Sequence, residues 1–287
     1  MIIDVHTHTF PNKIAARAVE QLQRNSHTAA FSDGTDAGLI ADEKRAGVDW
    51  AIVQPVATNP EKVAHMNDTV FELNRTAKER GVYSFAAMHP AFTGWEAELE
   101  RIKKAGTAGI KLHPPYESIA IDDPRTFAIL KKCKELDLIV LIHSGRDVGL
   151  PGATEALPEK IRRALDAVGP MKLIAAHMGG WGCWEDVPRF LADTGVFLDT
   201  AFSLGSMTPA PGDDHWKQEE LNLLDADAFC QLVRAFGAER ILFGTDSPWA
   251  DPTEEIAKIC RLPLTETEKE SILGKNAETL LRSALYT

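Results

Sequence analysis

His6 and His8 stand one residue apart at the end of the apolar run MIIDVHTH. On a strand, residues i and i+2 face the same side, so both imidazoles can point to one place. At that separation they can share one divalent ion and leave positions for a carboxylate and another histidine. Taken alone, an H-x-H pair is weak evidence, because surface pairs and hydrogen-bonded core pairs arise by chance. The remaining histidines add the weight. His89, His113, His143 and His177 also close short apolar runs, so six of the nine histidines fall at expected strand ends, while His27, His65 and His215 do not. Lys111 and Asp246 end two further runs in the same way. His6, His8, His143, His177 and Asp246 together read as a metal centre with acid/base capacity.

Residues so far apart need a fold that gathers strand ends. Runs rich in Val, Ile, Leu and Phe predict strands at 1–8, 49–56, 84–90, 109–115, 138–145, 172–180, 196–202 and 241–249. The stretches between them have helical spacing. ERIKKA precedes the fourth strand, DPRTFAILKKCKELD places Phe127, Leu130 and Cys133/Lys134 at helical intervals, and LPEKIRRALDAVG has Pro158 near its start and Gly169 at its end. Eight strand–helix units predict an α/β fold with parallel strands, a (β/α)8 TIM barrel occupying 1–287 as a single domain. A doubly wound open sheet is the competitor, weakened because no G-x-G-x-x-G follows the first strand. The longest irregular stretch, 203–224, follows the seventh strand and is expected either as a lid or as a plain surface insertion.

Bulk properties narrow the setting. The 287 residues carry a net charge of −11, with 44% hydrophobic and 25% charged content. That composition fits a soluble enzyme-sized domain and argues against nucleic acid or an anionic membrane as the main partner. Cys133, Cys183, Cys230 and Cys260 form no C-x-x-C pair, which fits free thiols in a reducing compartment. No basic-then-apolar leader is evident and no run approaches the ~20 residues of a membrane helix, so a cytoplasmic location is the expectation. The expected partner is a small-molecule substrate, with a homo-oligomer left open.

The motifs DVHTH, GIKLHP, LIHSG, AAHMGG and FGTDSPW lie in that order on the first, fourth, fifth, sixth and eighth expected strands. This ordered set resembles the amidohydrolase superfamily, and within it the amidohydrolase-related (amidohydrolase 2) family. That family holds metal-dependent hydrolases and aminocarboxymuconate-semialdehyde-decarboxylase-like enzymes. The resemblance implies that His6, His8, His143 and Asp246 ligate a Zn2+ ion, with His177 an acid/base group or a ligand to a second ion. Lys111 is open: a carboxylated lysine at this place bridges two metals in binuclear relatives, whereas a free lysine would bind a substrate carboxylate.

With such an ion, metal-activated water is available at neutral pH and Asp246 can move its proton. His177 could stabilise the developing oxyanion or share that work. The leading expectation is therefore a zinc-dependent hydrolase of a small carboxylate, ester, amide or lactone. The alternative is a non-oxidative decarboxylase of the aminocarboxymuconate-semialdehyde type. A non-catalytic metal-binding protein is the third reading, opposed by the completeness of the ligand set. Substrate-binding candidates are Arg146, His113, Tyr116, Trp181 and Trp249, for which a surface ion pair or simple packing is the plainer explanation. Trp184 is assigned to packing. Asp4 is expected to orient a ligand or cap a backbone group, and Asp213, Asp214 and His215 are expected in a solvated loop.

Overall fold

In a computed structural model describing residues 1–286, the apolar runs form short parallel strands separated by helices. They are β1 (Ile3–Thr7), β2 (Trp50–Val53), β3 (Val82–Ser84), β4 (Ala86–Ala87), β5 (Gly109–Leu112), β6 (Ile139–Ile142), β7 (Leu173–Ala175), β8 (Phe197–Asp199) and β9 (Ile241–Leu242). Strands β3 and β4 are one stave interrupted at Phe85, which divides the ladder into β1-β2-β3 and β4-β5-β6-β7-β8-β9. Helix side chains bind the backbone around this break. Asn74 accepts from Ser84 N–H at 2.8 Å and donates to Ser84 O at 2.9 Å. Asn67 brackets Ala87 in the same way. At the opposite seam, Val5 N–H donates to Phe243 O (2.9 Å), Asp246 N–H donates to His6 O (2.8 Å), and Thr7 bridges Ser247 in parallel. These bonds carry the sheet from β9 back to β1, giving the expected (β/α)8 barrel.

Strand alternation sorts the barrel into two layers. Ile3, Trp50, Ile52, Phe85, Ile139, Leu141, Ile174 and Leu242 pack together, while Ile110, Leu112, Val140, Ile142, Leu173, Leu198 and Ile241 pack with helix residues such as Leu99, Ile129, Leu130, Ile161 and Phe229. The parity continues past the strand ends. Lys111 takes the face opposite Ile110 and Leu112, and His143 follows Ile139 and Leu141.

β1 departs from simple alternation. Its register pairs Asp4 with Ala51 and Thr7 with Val53, so Val5 and His6 together oppose Ile52. A bulge of this kind turns the side chains beyond it to the other face. In a straight strand His6 and His8 would share the face of Asp4, toward the helices. The bulge instead brings them in with Lys111 and Asp199.

The helices follow their sequence signatures. Pro124–Glu135 is capped by Asp123, whose side chain accepts from Arg125 N–H, and it buries Thr126, Ile129, Leu130 and Cys133. Phe127 packs only at the edge of that core. Pro158–Val168 starts at Pro158 and ends against Gly169. All four cysteines are free, and among the described residues no helix is long and apolar enough to cross a membrane.

The 203–224 excursion is held down at both ends. Leu204 bridges Leu224, Ser206 bridges Asn222, and Ala29 N–H donates to Thr208 O at 2.8 Å. Beneath it lies a cavity of about 510 Å³ whose walls include Phe31, Phe202, Met207, Leu223 and Trp249. Asp213 and His215 belong to this surface, where Asp213 Oδ2 lies 2.7 Å from His27 Nδ1 and the His215 ring stacks on His27.

Candidate metal centre

Each histidine of the barrel mouth has one ring nitrogen fixed from behind. His6 Nδ1 meets Asp199 Oδ2 at 2.9 Å, His8 Nδ1 meets Gln54 O at 2.7 Å, and His177 Nδ1 meets Ala201 O at 2.9 Å. His143 is reversed, with Nε2 2.9 Å from Arg146 O. A carbonyl or carboxylate oxygen only accepts, so each fixed nitrogen carries the hydrogen and the opposite nitrogen is bare. Burial pushes the pKa of His143 down to about 4 and of His177 down to about 3, and lowers that of His6 as well. These three rings are therefore neutral at neutral pH.

The bare nitrogens converge. His6 Nε2 and His8 Nε2 lie 3.2 Å apart, and His177 Nε2 lies 3.1 Å from His143 Nδ1. Asp246 Oδ1 is 3.1 Å from His8 Nε2 and 3.5 Å from His6 Nε2. Lone pairs facing each other at hydrogen-bond distance repel unless a proton or cation lies between them. His6, His177 and Asp246 each offer a ligand atom, all within 4.8 Å of one another, so this trio alone could hold a metal ion. The donors are nitrogen and carboxylate oxygen, a set suited to a borderline divalent cation. Burial would raise the Asp246 carboxyl, but its polar surroundings, the Lys111 cation among them, hold it below its ordinary value.

Lys111 adds a cation to this group. Its Nζ lies 3.0 Å from His6 Nε2, and the side chain is 1% exposed. Burial lowers its pKa to about 8, while Asp246, Asp199, Glu117 and Asp147 act in the opposite direction.

Local backbone geometry places these groups. His177 and Asp246 both sit in the left-handed region, at φ 57° and 64°, a strained conformation for non-glycine residues that surrounding contacts must enforce. Asp4 supplies part of that enforcement, accepting from His6 N–H (3.0 Å), Thr245 N–H (3.2 Å) and the Thr245 hydroxyl (2.5 Å). It caps both strand ends at once, the backbone role that was one of its two expected ones.

Gly145 fixes the segment after His143. It has φ 93°, and an added Cβ would collide with the backbone of Gly180 and Trp181. Gly145→Ala is expected to lower unfolding free energy by at least about 2 kcal/mol. Denaturant titration measures this, and an unchanged midpoint would show that the two segments separate easily.

The substrate-binding candidates occupy varied places. The Arg146 side chain is exposed and runs along Gly182, while its carbonyl anchors His143. Tyr116 meets His113 edge-on at 4.5 Å. Trp181 holds a buried indole N–H with no partner among the described residues. Trp249 lines the cavity beneath the 203–224 segment. Trp184 packs as expected and also donates to His177 O at 2.9 Å.

Three site residues went unrecognised in the sequence. Asp199 anchors His6 and also accepts from His177 N–H (2.8 Å) and Ala201 N–H (3.1 Å). Its signal was an acid closing the apolar run VFLD. Gln54 acts through its backbone carbonyl and left no signal in its residue type. Asp147 forms a second close group with His113 and His143.

A parallel barrel with a histidine- and aspartate-lined mouth at the C-terminal ends of its strands defines the structural class. The chain belongs to the amidohydrolase family, whose model matches residues 3–283, and it is an enzyme of that superfamily. No curated protein matches it in sequence. Solved structures resemble it along nearly their whole length. An uncharacterised TIM-barrel protein from Bordetella bronchiseptica is 19% identical, with TM-score 0.73 and 99% of each chain covered. A dihydroxybenzoic acid decarboxylase from Polaromonas, solved with manganese and the inhibitor 2-nitroresorcinol, is 16% identical, with TM-score 0.68 and coverage of 100% of this chain and 99% of that one. A putative 2-pyrone-4,6-dicarboxylic acid hydrolase from Pseudomonas putida is 16% identical, with TM-score 0.63 and coverage of 98% and 97% respectively.

Proposed function

We propose that His6, His8, His143 and Asp246 hold one divalent metal ion and that the enzyme catalyses non-oxidative decarboxylation of a small carboxylic acid. The observation supporting the ion is the approach of the bare His6 and His8 nitrogens at 3.2 Å, with Asp246 Oδ1 3.5 and 3.1 Å from them. Zn2+ and Mn2+ both suit these donors, and Mn2+ is the ion in the similar dihydroxybenzoic acid decarboxylase. When bound, such an ion supplies a Lewis acid that draws charge from a carboxylate or adjacent oxygen of the substrate.

The chain's own groups account for the remaining chemistry. Lys111, kept as an ammonium, gives the pocket a fixed positive charge that attracts an anionic substrate. His177 Nε2 is bare and can take a proton from water or a substrate hydroxyl. As the bond to the carboxylate breaks, its electron pair stays on the substrate carbon and His177 returns the proton there. Carbon dioxide leaves, and one proton is consumed per turnover.

Sequence alone placed hydrolysis first. The order is reversed here because decarboxylases predominate among the similar solved structures. Hydrolysis remains the second reading, favoured by the likeness to the 2-pyrone-4,6-dicarboxylic acid hydrolase.

Metal-loaded protein is expected to release CO2 from a member of a panel of hydroxybenzoic and muconic-type acids, with one ion per chain. Lactone or amide hydrolysis without CO2 release, together with two ions per chain, would establish the second reading and a carboxylated Lys111.

A further inference from the structure

His113, His143 and Asp147 are all buried, and their ligand atoms lie within 4.8 Å of one another. The hydrogen bonds around them distinguish this group from the metal centre. His113 Nδ1 accepts from Tyr116 N–H at 3.4 Å, so its Nε2 carries the hydrogen, and that nitrogen lies 3.5 Å from Asp147 Oδ2. The hydrogen-bearing Nε2 of His143 donates to Arg146 O and lies 3.7 Å from the same carboxylate oxygen. Both imidazoles thus turn N–H groups, not lone pairs, toward Asp147. The two rings are stacked, with centroids 4.3 Å apart and planes 20° from parallel.

We infer that Asp147 is a positioning residue: one carboxylate, facing the N–H edges of His113 and His143, holds His143 so that its Nδ1 presents a lone pair to the metal. Several contacts keep the carboxylate in place. Asp147 Oδ1 accepts from Gly149 N–H at 2.8 Å, and the chain just before it is tied by Gly145 N–H to Ala156 O and by Arg146 N–H to Trp181 O, both at 2.8 Å. His113 serves as a wall against which the His143 ring lies flat. Its Nδ1 is turned to Tyr116 N–H and its Nε2 to Asp147.

A negative group behind a metal-bound imidazole orients the ring and raises its basicity, and its loss typically weakens metal binding by about 10- to 100-fold. This inference rests on His143 being a ligand, as proposed above. The test is competition between a chelator and the full-length protein for Zn2+ and for Mn2+, alongside thermal unfolding of the metal-free protein. Asp147→Asn preserves the shape of the side chain but removes its charge. It is expected to lose about 10- to 100-fold in affinity for both ions while the metal-free protein unfolds at the wild-type temperature. His113→Gln approaches the same carboxylate from its other side. It should cost less than Asp147→Asn, and the double variant should be no weaker than Asp147→Asn alone.

Wild-type protein that binds neither ion would remove the metal centre and this role of Asp147 with it. Wild-type binding combined with unaltered affinity in Asp147→Asn would overturn the positioning role alone. If Asp147→Asn does not fold, undiminished affinity in His113→Gln would overturn the shared clamp.

Discussion

Asp246→Ala should purify as a folded protein with no tightly held divalent ion and with turnover reduced by at least about 1,000-fold, equivalent to about 4 kcal/mol of barrier. The side chain contacts His6 and His8 through one oxygen, and no backbone hydrogen bond depends on its carboxylate among those described. His6→Ala should lose the ion equally but should also be less stable. Its Nδ1–H is paired with Asp199, a carboxylate 0% exposed, and deleting the imidazole leaves a cavity beside a buried acid that has lost a donor. The contrast separates the roles: equal metal loss, unequal unfolding midpoints. Metal analysis and thermal unfolding provide the two readouts, and full occupancy in both variants would sink the ligand assignment.

The second large effect lies outside the mouth. Glu43 sits on the helix Asp36–Ala46, is 4% exposed, and has both carboxyl oxygens without a protein donor. Burial, then the adjacent Asp4 carboxylate, pushes its pKa up to about 10 from an ordinary 4.5. The folded protein therefore keeps a proton that the unfolded chain releases above pH 4.5. Stability associated with this group is complete below that pH and declines as pH rises toward 10, with a slope of at most about 1.4 kcal/mol per pH unit. Glu43→Gln retains the shape and has no proton to lose. Its unfolding midpoint should match wild type near pH 4.5 and exceed it increasingly at higher pH. Parallel curves would show that Glu43 ionises in the folded state at ordinary pH.

The barrel and its histidine-bearing strand ends were legible because both leave patterns in residue type. Apolar runs of strand length alternate with helical ones, and histidines recur where the runs stop. The means by which His6 faces inward was not legible. Alternation correctly put His6 and His8 on one side, but which side depends on two residues facing Ile52, a matter of register between strands. Register reflects pairing across the sheet, so a single segment does not encode it visibly. The anchors were hidden for a related reason. Gln54, Ala201 and Arg146 act through backbone carbonyls, which every residue possesses. Asp147 left no pattern of its own in the sequence beside Arg146, whose guanidinium is the more familiar partner for a carboxylate and whose side chain is exposed.

The seam between β1 and β9 is where the two ends of the chain meet. Thr245 and Asp4 are bonded although 241 positions separate them, and His6, His8 and Asp246 lie on the two sides of that junction. These contacts join the first and last staves across nearly the whole length of the chain. The donor set is thus divided between the first and last staves of the ring. An ion held there would act as a clasp on the seam, tying the first stave to the last.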